Sequence, residues 1–232
     1  MIALARPSVH AVSSRSRLLP TARTTTAEVL ALTGWIEACV AAGVDVLQIR
    51  EPGLDVRRLR DVVRDAVRLS SGSRTRVIVN GRADVALSAG ARGVHSPASG
   101  LPPAVLRGLA PDWLVGQSIH EGDETDGSAA DYLIFGTVFP SRSKPADGPK
   151  PTGLAGLRRA VRRFERPVLA IGGIDLGRVS ACFEQGAAGI AAIGLFLPAG
   201  VEPEALGPVE AVRAIRTAFL EVRPGTGVDL LE

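Results

Sequence analysis

Short apolar runs and amphipathic stretches alternate along almost the whole chain. Runs such as VDVLQI, PVLAIGGI and GIAAIGLF are continuous rather than alternating, the pattern of parallel strands covered on both faces. Such runs predict strands at 17–19, 44–49, 76–79, 93–95, 114–117, 132–135, 168–171 and 190–193. Helical periodicity fills the intervals near 26–42, 55–70, 82–89, 102–109, 153–164, 175–186 and 203–221. The stretch after the fifth strand, HEGDETDGSAA, is acidic and carries little helical pattern.

Eight strand–helix units in 232 residues, with no break in composition, predict an α/β chain folded as a single (β/α)8 TIM barrel. A doubly wound open sheet is the structural alternative. The barrel is expected over residues 17–232. Residues 1–16 hold basic but no acidic residues and lack the continuous apolar core of a signal peptide, so they read as a loosely ordered N-terminal lead-in. The chain is 46% hydrophobic and 22% charged, normal for a sizeable core. Its net charge of +3 comes from arginines interleaved with aspartates, as in VRRLRDVVRDAVRL. That is a solvated helix face, so nucleic acid is not expected, whereas a small phosphate ester fits the balance. Cys39 and Cys182 stand apart in apolar helical contexts, which suits core thiols in a reducing cytosol rather than zinc. No apolar run approaches the roughly 18 residues of a membrane span, and a cytoplasmic protein is expected.

A barrel carries its chemistry where strands end and loops begin. That rule selects Gln48 and Arg50, Asn80 and Gly81, His95, Ser118 and His120, Gly136 and Thr137, Gly172 and Gly173, and Ile193 and Gly194. Glycines at the ends of strands seven and eight let backbone N–H groups approach a phosphate, although tight turns alone also use glycine. Arg50 offers a planar fork to a carboxylate or phosphate, or pairs with Glu51 beside it. The loop 141–153, SRSKPADGPKPTG, is too long for a simple turn and reads as mobile, with Lys144 able to fold over an anion. His95 and His120 are the candidate proton-transfer groups, and spacing does not separate them. No carboxylate cluster sits at the strand ends and no serine or cysteine sits in a nucleophile elbow. Neither a metal nor a cofactor is expected.

The segments LQIRE, VIVNGRADVALSAGARGVH, VGQSIH, ADYLIFGTVFPSRSK, PVLAIGGI and GAAGIAAIG fall in the order and spacing of the thiamin phosphate synthase / TenI superfamily, which the chain resembles from about residue 17 to residue 221. The resemblance implies a (β/α)8 fold, thiamin metabolism and pairing into a homodimer. It offers two activities. The synthase joins a hydroxymethylpyrimidine diphosphate to a thiazole phosphate, releases pyrophosphate and needs magnesium. The tautomerase moves a proton to aromatise a thiazole carboxylate phosphate without metal.

In the synthase the strand-two motif reads Gln-Leu-Arg-Glu-Lys. Here Gln48 and Arg50 match, and Pro52 replaces the diphosphate lysine. Asn80 matches the strand-three Asn-Asp, but Gly81 replaces the magnesium aspartate, and HSPASGLP supplies no second acid. Asn-Gly-Arg resembles the tautomerase branch, whose Ser-x-His matches Ser118 and His120. The resemblance therefore implies an isomerase, thiazole tautomerase, with His120 as its acid/base. Gly172, Gly173, Ile193, Gly194, Ser141, Arg142 and Ser143 would hold the phosphate. Gln48, Arg50, Asn80, Ser118 and Lys144 would line the substrate pocket. A synthase, or a barrel that binds thiazole or thiamin phosphate without catalysis, are the alternatives.

Overall fold

The computed structural model describes residues 2–142 and 150–222. Eight parallel strands close into a ring: β1 Ser8–Val12, β2 Val46–Ile49, β3 Arg76–Asn80, β4 Gly93–Ser96, β5 Leu114–Ile119, β6 Tyr132–Phe135, β7 Val168–Ile171 and β8 Gly189–Ala192. Each strand pairs with its sequence neighbours, and β1 closes the ring on β8 with Ser8 opposite Gly189. This is the expected (β/α)8 barrel, and the closed ring excludes the open sheet. The helices are α1 Arg15–Leu18, α2 Thr25–Ala41, α3 Val56–Leu69, α4 Ala83–Ala89, α5 Pro103–Leu109, α6 Gly153–Arg163, α7 Leu176–Glu184 and α8 Pro208–Val222. Between β5 and β6 the acidic stretch forms no helix, as its weak periodicity implies.

Two apolar layers follow from the two-residue period of the strands. Residues such as Val9, Ala11, Leu47, Val77, Val79, Leu133 and Ile190 point outward and pack under the helices. Val46, Ile78, Leu114, Tyr132, Ile134, Leu169 and Ala191 point inward and fill the ring. Ile2 and Leu4 pack against this inner layer. The Ile2 N–H donates to the Asp131 carboxylate at 2.8 Å, which also accepts from the Val115 N–H at 2.8 Å and from Arg107 at 2.7 Å.

The first strand is the chief departure from expectation. It lies at Ser8–Val12, inside the supposed lead-in, and all five of its residues are buried. The stretch expected at 17–19 instead belongs to α1 and the turn after it, where Leu18 packs under the helical layer. The cause is that β1 turns Ser8 and His10 into the ring while Val9 and Ala11 face outward, so no apolar run marks it. Among the described residues no helix is long and apolar enough to cross a membrane.

Candidate functional site at the barrel mouth

The strand ends converge on two adjoining cavities. The larger, about 380 Å3, has a floor of Gln48, Asn80, His95 and Ser118, and walls that include Arg50, His120, Gly136, Thr137 and Ser99. Gln48 is 3% exposed because its amide is held in a chain of bonds. Its Oε1 lies 2.8 Å from His10 Nε2, and its Nε2 donates to Asn80 Oδ1 at 2.9 Å. Across the ring, His95 Nε2 lies 2.8 Å from Ser118 Oγ and its Nδ1 lies 3.3 Å from the Tyr132 hydroxyl. Burial raises the Tyr132 phenol well above its usual value, so the hydroxyl keeps its proton. A proton on His95 Nε2 makes the ring donor to Ser118 and acceptor from Tyr132, and a proton on Nδ1 reverses both bonds.

Burial also lowers both imidazoles. His10 falls to about 4, opposed by its bond to Gln48. His95 falls to about 3 through burial and the neighbouring His10. At neutral pH the floor is therefore uncharged.

Arg50 supplies the cavity's positive charge. It is exposed, its backbone N–H donates to Ser13 Oγ at 2.9 Å, and no carboxylate among the described residues pairs with its guanidinium. Pairing with Glu51 does not occur. The buried Glu51 carboxylate turns away to Ser13 Oγ at 2.7 Å and to Arg15 at 3.0 Å. His120 sits at the wall with its side chain 40% exposed and Nδ1 3.6 Å from the Asp123 carboxylate.

The smaller cavity, about 220 Å3, shares Ile171, Gly172 and Ile193 with the larger. Gly173, Gly194, Ser141 and Arg142 also line it. Gly172 and Gly173 have φ of 101° and 59°, the left-handed region that favours glycine. A Cβ on Gly173 would stand 2.1 Å from the Pro140 carbonyl oxygen, so the loop after β6 admits only glycine there. Among the described residues, no protein acceptor takes the N–H groups of Gly172, Gly173, Ile193 or Gly194. Unsatisfied N–H groups facing one hollow make an anion site.

The structure thus gathers Gln48, Arg50, Asn80, Ser118, His120, Ser141, Arg142, Gly172, Gly173, Ile193 and Gly194 at one mouth. Ser143 and Lys144 lie outside the described residues. Sequence reasoning missed His10, Tyr132, Arg17, Arg178 and Glu204. Arg178 donates to the Gly173 carbonyl at 2.6 Å and so pins the glycine turn. Arg17 donates to Glu202 at 2.7 Å and lies 3.6 Å from Glu204, which reaches over Gly194. The alternation of SVHAV was the one available signal for His10.

The synthase chemistry implies magnesium, so the donor set matters. The larger cavity has no Asp or Glu among its described lining residues. Among the described residues no group of three His, Cys, Asp or Glu side chains is placed to hold a metal ion. These residues do not fit a carboxylate-held magnesium.

Comparison with known proteins then fixes the family. The family model described as "Thiamine monophosphate synthase" (TMP-TENI) matches residues 22–196. The "Thiamine-phosphate synthase" of Anaeromyxobacter dehalogenans is 39% identical over 190 residues, 78% of this chain and 84% of that one. A protein of the same name from Roseiflexus sp. is 31% identical over 201 residues, 85% of this chain and 84% of its own. Among solved structures, thiamine phosphate pyrophosphorylase from Pyrococcus furiosus superposes with a TM-score of 0.74 at 25% identity, covering 94% of this chain and 98% of that one.

These names overturn the expectation of a TenI-type thiazole tautomerase, and with it that of an isomerase using His120 as acid/base. The expectation gave a few exchanged positions, Gly81 and Pro52 above all, more weight than likeness along most of the chain. The chain belongs to the thiamine monophosphate synthase (TMP-TENI) family.

Proposed function

We propose that the barrel is a thiamin phosphate synthase, joining a hydroxymethylpyrimidine diphosphate to a thiazole phosphate. The observation that carries this reading is the pair of cavities meeting at Gly172 and Ile193. One is lined by backbone N–H groups that no acceptor among the described residues takes, and suits a phosphate monoester. The other has an amide-lined neutral floor and an arginine that no carboxylate among the described residues pairs, and suits a heteroaromatic ring with a diphosphate at the lip. The synthase names of the relatives support it.

The reaction needs no proton transfer. The thiazole nitrogen attacks the pyrimidine methylene carbon, and the new C–N bond forms as the C–O bond to diphosphate breaks. The electron pair leaves with pyrophosphate, and the thiazole ring takes the positive charge. Two demands follow. Negative charge gathering on the leaving group needs a cation, and Arg50 is the cavity's cation. Positive charge gathering on the thiazole must not meet a charged floor, and His10 and His95 are held neutral by burial. Gly172, Gly173, Ile193, Gly194, Ser141 and Arg142 hold the thiazole phosphate. Gln48, Asn80, Ser118 and His120 surround the pyrimidine and its diphosphate. No step is assigned to a metal held by this chain.

A second reading, binding of these phosphates without catalysis, is favoured by the carboxylate-free wall. The two are separated by incubating purified protein with both substrates, with magnesium and with chelator, and measuring thiamin phosphate by its fluorescent oxidation product. Product formation that falls about 100-fold in kcat/KM in Arg50→Ala supports the synthase. Binding of both substrates with no product under either condition refutes it.

A further inference from the structure

His10 is a buried titratable group that the proposed reaction does not use. Its ring stands in the floor beneath the larger cavity, fully buried, with centroids 5.6 Å from Tyr132. One nitrogen, Nε2, meets Gln48 Oε1 at 2.8 Å, while Nδ1 is buried without a partner. The Gln48 amide continues the line to Asn80 Oδ1 at 2.9 Å. Asn80 Nδ2 is left with no bond to the described residues, at the floor of the cavity.

Each member of this line fixes the polarity of the next. An imidazole N–H at Nε2 requires a carbonyl oxygen on Gln48 facing it, so the Gln48 NH2 group turns to Asn80. Asn80 must then accept with Oδ1, which leaves its own NH2 group toward the cavity. With the proton on Nδ1 the whole line reverses, and Asn80 would show the cavity an oxygen. The reversed state buries an N–H without a partner instead of a lone pair, and orphaned buried N–H groups are the rarer case. Depression of the ring to about 4 keeps it neutral, so one tautomer is retained over the ordinary pH range.

We propose that His10 is a positioning residue: by donating from Nε2 to Gln48 it sets the Asn80 amide as a hydrogen-bond donor at the cavity floor, selecting ligands that place an uncharged or anionic acceptor there. Taking that ligand as the pyrimidine diphosphate rests on the synthase reading; the polarity of the line does not. The imidazole acts from β1, whose strand-end residue in the cavity wall is the apolar Val12.

The test uses the whole protein and three readouts. Long-range proton–nitrogen NMR reports which nitrogen of His10 carries the proton. The side-chain amide resonances of Asn80 report its surroundings. Calorimetry gives the affinity for hydroxymethylpyrimidine diphosphate and, separately, for thiazole phosphate. The expected results are an Nε2–H tautomer and an Asn80 amide resonance that moves in His10→Leu. Pyrimidine diphosphate should bind about tenfold more weakly to His10→Leu, with thiazole phosphate unchanged. His10→Gln, whose amide can donate in place of the ring, should bind within about threefold of wild type.

An Nδ1–H tautomer overturns the proposal, as does equal loss of both ligands in the Leu and Gln variants, which would mark a packing role. Should the wild type bind no pyrimidine diphosphate, the synthase reading fails, and the tautomer and the Asn80 resonance still decide the polarity of the line. Should the Leu variant not fold, the Gln variant and the wild-type spectrum decide it.

Discussion

Acid should act on the two imidazoles buried in the ring while the surface still tolerates it. His10 and His95 are held by burial at about 4 and about 3, against 6.5 for an exposed ring. The unfolded chain therefore takes up protons below 6.5 that the native barrel refuses. Stability from these rings is complete above 6.5 and is lost as pH falls toward 4. Each neutral ring costs the native state about 1.4 kcal/mol per pH unit in that window. At about pH 5, some 1.5 units below the unfolded value, the pair together removes about 4 kcal/mol, a large part of a typical domain's stability. Asp45 and Glu51, raised by burial, act with the opposite sign, because their native carboxyls accept protons more readily than the unfolded ones. Comparison of wild type with His10→Gln cancels them. Urea unfolding followed by circular dichroism at about pH 8 and about pH 5 should show the wild type's advantage over the variant shrinking by about 2 kcal/mol, half of the pair's contribution. An advantage that is the same at both pH values would refute a neutral, buried His10.

Other outcomes follow from the glycine turn and the ring's lower end. Gly173→Ala should lower stability by about 2–4 kcal/mol and abolish phosphate binding, since its Cβ would meet the Pro140 oxygen at 2.1 Å in a left-handed backbone. Gly194→Ala meets only the flexible Glu204 side chain and should fold nearly as well; thermal melts with and without inorganic phosphate compare the two. Asp131→Ala strips three donors of their acceptor, those of Ile2, Val115 and Arg107, and should cost about 3 kcal/mol in chemical unfolding.

The strands most legible in the sequence were those buried on both faces. VLQI, RVIVN, YLIF and VLAI are apolar enough to declare themselves, and the structure places them within a residue or two of expectation. β1 was not legible because its inward residues, Ser8 and His10, are polar although fully buried. A strand whose inward residues are Ser8 and His10 imitates a polar leader until the ring is closed around it. The same holds for the site. The paired glycines pointed to the turn that lines the smaller cavity, since a left-handed turn favours that residue. Arg17 and Glu204 reach that cavity from α1 and from the segment before α8, and only the closed ring brings them together. The reaction was misread for a different reason: Gly81 and Pro52 remove charge from a site but do not by themselves specify the chemistry that remains.

The seam between β1 and β8 also sets a timetable. Ser8–Val12 is the first strand to be synthesised, yet one of its edges is satisfied only when Gly189–Ala192 arrives. At ribosomal rates of about 5–20 residues per second the wait is of the order of ten seconds or more, during which a nascent strand keeps one edge unpaired. The seam is also narrow: a Cβ on Gly189 would stand 2.2 Å from the Ser8 carbonyl oxygen. Closure is thus a late, long-range event with little steric tolerance, and residue 189, remote from both cavities, bears on whether a newborn chain becomes a barrel at all.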